Sequence, residues 1–397
     1  SKYKMFSEAQ KYFQQMKERQ IQPNRITFNV LLNIYANLGQ SKLMKDTIAD
    51  MKGHGIIPDK TTYSTLIKSL MNDANSDLGR VQDILDDMKA FSVPLDTNIC
   101  NQIIKVLLKQ EKTAELNSFL CEMKSLGLSY DTVTFNTLLR HRIDHNQIPS
   151  ALRLIEQMKS TRISRDHVTF IEILRLYSII GDKSNVHHAI RDVEMNSIHL
   201  LDSVLLHCFV SSFVECNAVE DACELLEKSN ERYKIKPTVA MYSKVIDGFM
   251  KNSRQFDALH LFAEMKMRGI KADIVAYNTV IQGIVSYGDR DDLSLLLHYW
   301  SEIPLQGLEP TIQTYDLIIR AHLRANKASE ALRFWDQLHY QGLRPATSTY
   351  NEFLSAFCSK NEPETVTRIE EQMKEQNIPF TLHNIQLLKQ LKTRKHQ

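Results

Sequence analysis

The chain carries GIIPD at residues 55–59 and, one residue later, TTYSTLI at 61–67, and this pair of phrases recurs along its length. The first returns as GLSYD (127–131), RISRD (162–166), GIKAD (269–273), GLEPT (307–311) and GLRPA (342–346). The second returns as ITFNVLL (26–32), VTFNTLL (133–139), VAYNTVI (275–281) and STYNEFL (348–354). A third phrase is centred on Met16, Met51, Met88, Met123, Met158, Met265 and Met373. Prolines keep the same beat: Pro23, Pro58 and Pro94 are 35 and 36 residues apart, and Pro310, Pro345 and Pro379 are 35 and 34 apart. Three phrases in one phase define a period of 35 residues.

Each period holds two helical patterns. In 25–59, Phe28, Leu31, Leu32 and Tyr35 recur at helical spacing and Gly39 breaks the pattern; Leu43, Ile48 and Met51 resume it until Gly55 and Pro58 stop it. One such hairpin cannot bury its apolar face alone, so neighbours must stack into a solenoid, with the aromatic and Met phrases as its core. The repeats run 25–59, 60–96, 97–131, 132–166, 167–201, 202–238, 239–273, 274–311, 312–346 and 347–381. Residues 1–24 are expected to supply a second helix and its exit loop, and 382–397 a final partial helix. Extra residues near NDANS (72–76), KSNERYK (228–234) and HYWSEIPLQ (298–306) read as lengthened loops or helix ends, not domain boundaries.

Composition agrees. Only 12 Gly and 10 Pro in 397 residues, with 43% hydrophobic and 24% charged, exclude collagen-like, linker-rich and disordered classes and disfavour an all-β protein. A formal charge of +2 excludes a polycation but leaves room for a local basic stripe. The six cysteines include no C-x-x-C pair and read as reduced thiols, with Cys208, Cys216 and Cys223 in helix cores. No apolar run approaches the length of a membrane span. G-x-x-x-x-G-K, G-x-S-x-G, H-E-x-x-H and deaminase signatures are missing, so no catalytic residue, cofactor, metal or small-molecule substrate is expected. His141 and His145, spaced i, i+4, read as solvated loop histidines.

A repeat that opens T-Y/F-N-x-L-I and closes M-x-x-x-G-I-x-P-D resembles the pentatricopeptide repeat, across essentially the whole chain, and looks like its pure-repeat class. The tetratricopeptide pattern lacks both phrases. The resemblance implies an all-α, right-handed superhelical solenoid of about ten helix-turn-helix repeats with partial repeats at both ends. It also implies single-stranded RNA bound on the concave surface of the first helices, one base per repeat. The fifth residue of a repeat and its last residue read the base, and successive second residues sandwich it. The reading pairs are then Asn29 with Asp59, Ser64 with Asp96, Asn101 with Asp131, Asn136 with Asp166, Ser243 with Asp273, Asn278 with Thr311 and Asn351 with Thr381. Ile171 with Leu201, Leu206 with Thr238 and Asp316 with Ala346 match no readable pair. The sandwiching residues are Ile26, Thr61, Asn98, Val133, Val168 and Val275. By the family's pattern the site is U-G-U-U-n-n-G-Y-n-Y.

Elementary geometry is consistent with that assignment. Positions two, five and nine of the first helix share one face, away from the apolar stripe. An Asn there offers an amide donor and a carbonyl acceptor, matching N3–H and O4 of uracil. Beside this row lie Lys68, Lys105, Arg140, Arg175 and Arg320 at position nine and Lys109, Lys251 and Arg324 at position thirteen, candidates for phosphate contact. The function so implied is sequence-selective binding of mRNA or rRNA in organelle gene expression (transcript stability, processing or translation), in the mitochondrial matrix or else a plastid. The alternatives are a structural subunit of a mitochondrial ribosome or other ribonucleoprotein, bound to its proteins, and a protein-interaction scaffold. The intact pairs from 29 to 166 favour the first; the degenerate repeats at 167–238 favour the ribonucleoprotein subunit.

Overall fold

The computed structural model describes residues 8, 11–16, 18–72, 78–287, 293–360, 362–375, 378–381, 384–386 and 388–389. All secondary structure among them is helical. The helices come as hairpins, for example Thr97–Lys109 with Thr113–Ser125, Thr132–Asp144 with Ile148–Ser160, and Ile312–Arg324 with Ala328–Tyr340. The chain forms two compact bodies, 1–176 and 177–397. In the N-terminal body the first helices Arg25–Asn37, Lys60–Asn72, Thr97–Lys109 and Thr132–Asp144 pack in succession. In the C-terminal body Ser203–Glu215, Val239–Lys251, Ile274–Tyr287, Ile312–Arg324 and Thr347–Lys360 do the same. Each body is thus a stretch of α-solenoid in which consecutive first helices form one packed row.

The recurring phrases fill the core. The fourth-position residues Phe28, Tyr63, Phe135, Phe170, Tyr242, Tyr277, Tyr315 and Tyr350 are all buried, as are Met51, Met88, Met123, Met158, Met265 and Met373. Each buried aromatic contributes about 1.5–3 kcal/mol over an exposed one. Trp335, on a second helix, meets Tyr350 of the next repeat edge-on at 4.7 Å and Phe353 at 4.3 Å, so the repeat interface is itself core.

The chain reverses through residues of positive φ. Gly39, Gly55, Gly127, Gly181, Gly269, Gly307 and Gly342 take this conformation, but so do nine non-glycine residues among the described ones, including Glu111, Asn146, Arg162, Asn217 and Asn326. The stacked hairpins impose the left-handed turn even where a side chain makes it cost about 1 kcal/mol. Counting glycines therefore understates the punctuation.

The longer repeats resolve differently from one another. KSNERYK ends a second helix of 15 residues, Val219–Tyr233, closed by Lys234 at φ 58°. HYWSEIPLQ is not the site of extra residues: it completes a helix of 13 residues, Leu293–Leu305, so the added length of that repeat falls earlier, before Leu293. The stretch NDANS and Gly288 fall largely or wholly on 73–77 and 288–292, outside the described residues. Residues 11–16, 384–386 and 388–389 are helical in the two partial repeats.

One phase shift matters for the site. A 3-10 turn at Ile198–Leu200 adds a residue, so the next first helix starts at Ser203 with Asp202 capping the Leu205 N–H at 2.8 Å. Asp202 thus occupies the capping place of Asp96 and Asp131, and Leu201 and Leu206 fall outside the last and fifth positions of the observed register. Leu206 is fully buried core. Counted from the capped start, position two is Val204 and position five is His207.

Candidate nucleic-acid interface

In three repeats of the N-terminal body the last residue caps the next first helix and also grips the fifth residue of its own repeat. Asp131 Oδ1 accepts from the Thr134 N–H at 2.7 Å and from Asn101 Nδ2 at 3.1 Å. The Thr134 hydroxyl lies 2.5 Å from Asn101 Oδ1 and closes the capping box through the Asp131 N–H. Asn136, Asp166 and Thr169 repeat the triangle: Nδ2 to carboxylate at 3.0 Å, hydroxyl to Asn136 Oδ1 at 2.8 Å. So do Asn29, Asp59 and Thr62, at 3.3 and 2.7 Å. A carboxylate offers no donor, so the amide turns Nδ2 toward it and leaves Oδ1 to the threonine hydroxyl, whose proton also lies within reach of the carboxylate at 2.8 Å; the amide therefore has one orientation. Each Asn keeps one N–H and one lone pair for a ligand.

Electrostatics tighten the triangle. Burial pushes the carboxyls of Asp59, Asp131 and Asp166 upward. The threonine N–H and hydroxyl together with the Asn amide outweigh it and hold all three below the usual value.

The C-terminal body varies this theme. Asn278 donates to Thr311 Oγ1 at 3.3 Å, with the Thr314 hydroxyl 2.7 Å from its Oδ1. Asn351 Oδ1 accepts from Asn384 at 2.5 Å, while Thr381 caps the Asn384 N–H at 3.2 Å instead of binding Asn351. Asp316 accepts from the Thr349 hydroxyl at 2.7 Å. Neither serine reader meets its acid: Ser64 exchanges hydrogen bonds with Gln102 at 2.8–2.9 Å, and Ser243 Oγ is buried without a partner. Asp96 and Asp273 cap the N–H groups of Ile99 and Ala276.

The second positions stand out from the surface. Ile26, Val133, Val168 and Val275 are 72%, 47%, 41% and 61% exposed, and Thr61 and Asn98 are exposed beside them. Val204, missed by the sequence reading, is 55% exposed in the same place. His207 is half-buried with an unpartnered Nδ1, and burial with nearby Lys244 lowers its pKa.

The eight candidate phosphate contacts divide. Arg140 pairs with Glu172 at 2.6 Å, Arg175 with Asp144 at 2.6 Å, Lys251 with Asp247 at 2.6 Å and Arg320 with Glu352 at 3.0 Å. Lys109 and Arg324 donate to the carbonyls of Met71 and Val285, near the ends of the preceding first helices. Lys68 and Lys105 are exposed and have no carboxylate partner among the described residues. Position six of the following repeat supplies Glu172 and Glu352, which is why a row read from one repeat at a time looked free. The buried threonines Thr62, Thr134, Thr169, Thr314 and Thr349 were also missed, although a Thr recurring at the third position of these repeats was the signal; the repeat that begins at 274 has Ala276 there.

Repeat-family models match across both bodies. One described as the pentatricopeptide repeat domain matches 4–37, 11–73, 83–142 and 118–183; those described as PPR repeat family and PPR repeat match 237–286, and 313–343 with 348–378. The chain belongs to the pentatricopeptide repeat family. A pentatricopeptide repeat-containing protein of Arabidopsis thaliana is 27% identical over 131 residues, 33% of this chain and 20% of the relative. The small ribosomal subunit protein mS79 (rPPR3b) of Arabidopsis thaliana is 39% identical over 67 residues, 17% of each chain. Other Arabidopsis relatives are named chloroplastic or mitochondrial. Among solved structures, PPR10 in complex with an 18-nt psaJ RNA element shares the fold with a TM-score of 0.65 at 18% identity, over 98% of this chain and 56% of that one. The chain thus spans about half of that PPR10 chain and a fifth of the first relative.

Proposed function

We propose that this pentatricopeptide repeat chain binds single-stranded RNA sequence-selectively and acts on transcript stability, processing or translation in an organelle, the mitochondrion. One observation carries the reading. Three successive-type triangles, Asn29–Asp59–Thr62, Asn101–Asp131–Thr134 and Asn136–Asp166–Thr169, hold an amide in fixed orientation with a donor and an acceptor left over. Exposed aliphatic residues at the second positions offer apolar flanks for a base. A buried, pre-oriented polar edge between apolar flanks suits an unstacked base better than a protein side chain. Binding of U-G-U-U-n-n-G-Y-n-Y tests it: replacing the first four bases with A should weaken binding about 100-fold or more. Equal affinity for poly(A) would sink it.

A second reading, a structural subunit of a ribonucleoprotein, is favoured by the four cations already held by carboxylates and by the partial likeness to mS79. Co-sedimentation with ribosomal subunits after RNase-free lysis supports that reading, and release with messenger RNA the first.

A further inference from the structure

The reading position of the repeat 312–346 holds a carboxylate, Asp316, where intact repeats hold Asn. Its surroundings are rebuilt to match. The last residue is Ala346, so no second carboxylate stands beside it, and the acceptor receives the Thr349 hydroxyl at 2.7 Å and the Ala346 backbone N–H. Thr349 is the same third-position threonine that elsewhere donates to Asn Oδ1. Arg320, one turn further along the helix, is paired with Glu352 at 3.0 Å and so does not consume the remaining acceptor sites. Asp316 is 8% exposed, comparable with Asn101 at 6% and Asn278 at 4%, so it sits at the depth of those two, while Asn29 and Asn136 are half-buried.

We propose that Asp316 makes this repeat a guanine reader, an inference that rests on the RNA-binding function proposed above. An ionised carboxylate only accepts hydrogen bonds, and after its two internal donors it keeps about two acceptor sites. Guanine alone presents two adjacent donors, N1–H and N2–H, on its Watson–Crick edge, and a carboxylate takes both. Uracil offers one donor flanked by two carbonyls that repel the carboxylate. Adenine and cytosine offer one amino donor beside a ring-nitrogen lone pair. Burial pushes the Asp316 pKa above the usual carboxylate value against the opposing pull of Thr349, the Ala346 N–H and the Arg320 charge, so donors from a base would stabilise its ionised form. The third, undetermined base of the G-Y-n-Y segment then becomes G, between the pyrimidines assigned to Asn278 and Asn351.

The test uses the whole chain, wild type and Asp316→Asn, against RNAs that begin U-G-U-U and continue with eight randomised nucleotides, with the bound fraction sequenced. The randomised stretch finds the position even if the central repeats skip bases. Wild type should enrich G about ten-fold at one position flanked by pyrimidines. Asp316→Asn, nearly the same shape, should lose that enrichment and favour a pyrimidine there. Retention of U-G-U-U-bearing RNA serves as the folding control for both proteins. Identical base profiles, or no preferred base at that position in wild type, overturn the inference alone. Failure of the wild-type chain to retain the RNAs would instead remove the RNA-binding reading beneath it; if only Asp316→Asn fails, the wild-type base profile alone decides, and the absence of an enriched G there overturns the inference.

Discussion

The two bodies use one backbone slot in two ways. In the N-terminal body, Asn29, Asn101 and Asn136 each sit between a carboxylate and a threonine hydroxyl, and the carboxyls are held low. In the C-terminal body the last residues from Thr238 onward are Thr238, Asp273, Thr311, Ala346 and Thr381, and Asp316, an acid at a reading position, is pushed up. The threonine at position three is common to both. The fold therefore tolerates Asp, Thr or Ala in this place, whereas the polarity of the proposed reading edge follows the pair.

The comparison can be pressed hardest through the core. Trp335→Ala should cost about 3–5 kcal/mol in denaturant unfolding, because it empties the interface against Tyr350 and Phe353. Solenoid stability adds repeat by repeat, so lost hydrogen-exchange protection should concentrate in 312–375. Protection lost evenly from 25 onwards would show that the repeats do not behave as separate neighbours.

A smaller effect contrasts the caps. Asp131→Ala and Thr311→Ala should each cost about 1 kcal/mol at neutral pH. The folded Asp131 pKa lies below its unfolded value of about 3.9, so its contribution is complete above that value and is lost as pH falls through the folded pKa. The gap between wild type and Asp131→Ala should therefore close in acid, below about pH 4. The Thr311→Ala gap should persist, and parallel pH profiles for the two variants would contradict the contrast.

The smallest expected effect concerns salt. Lys68→Ala and Lys105→Ala should each lower the log–log salt slope of RNA binding by about 0.7. Lys251→Ala, whose cation is held by Asp247 at 2.6 Å, should leave the slope unchanged. A change of equal size for all three would mean that the ion pairs open when RNA binds.

Much of the molecule was legible in one dimension. The hairpins, the buried aromatics and methionines and the phase of Asn29, Asn101 and Asn136 follow from periodicity within single repeats. The threonine anchors stand in most of the phrases yet were unreadable, since Thr134 completes a triangle with Asn101, 33 residues away. The ion pairs that occupy Arg140 and Arg320 likewise cross to the next repeat, 32 residues on. The shift to Val204 and His207 escaped because one residue inserted by a 3-10 turn leaves no mark on the apolar pattern.

The sequence by itself determined the period, the all-helical class and the candidate reading positions, because helix propensity, capping and apolar spacing act over a few residues. Tertiary structure alone decided which readers are clamped, which cations stay free and where the sixth first helix begins. Those outcomes depend on side chains from adjacent repeats meeting within hydrogen-bond distance, and stacking, not local spacing, sets that meeting.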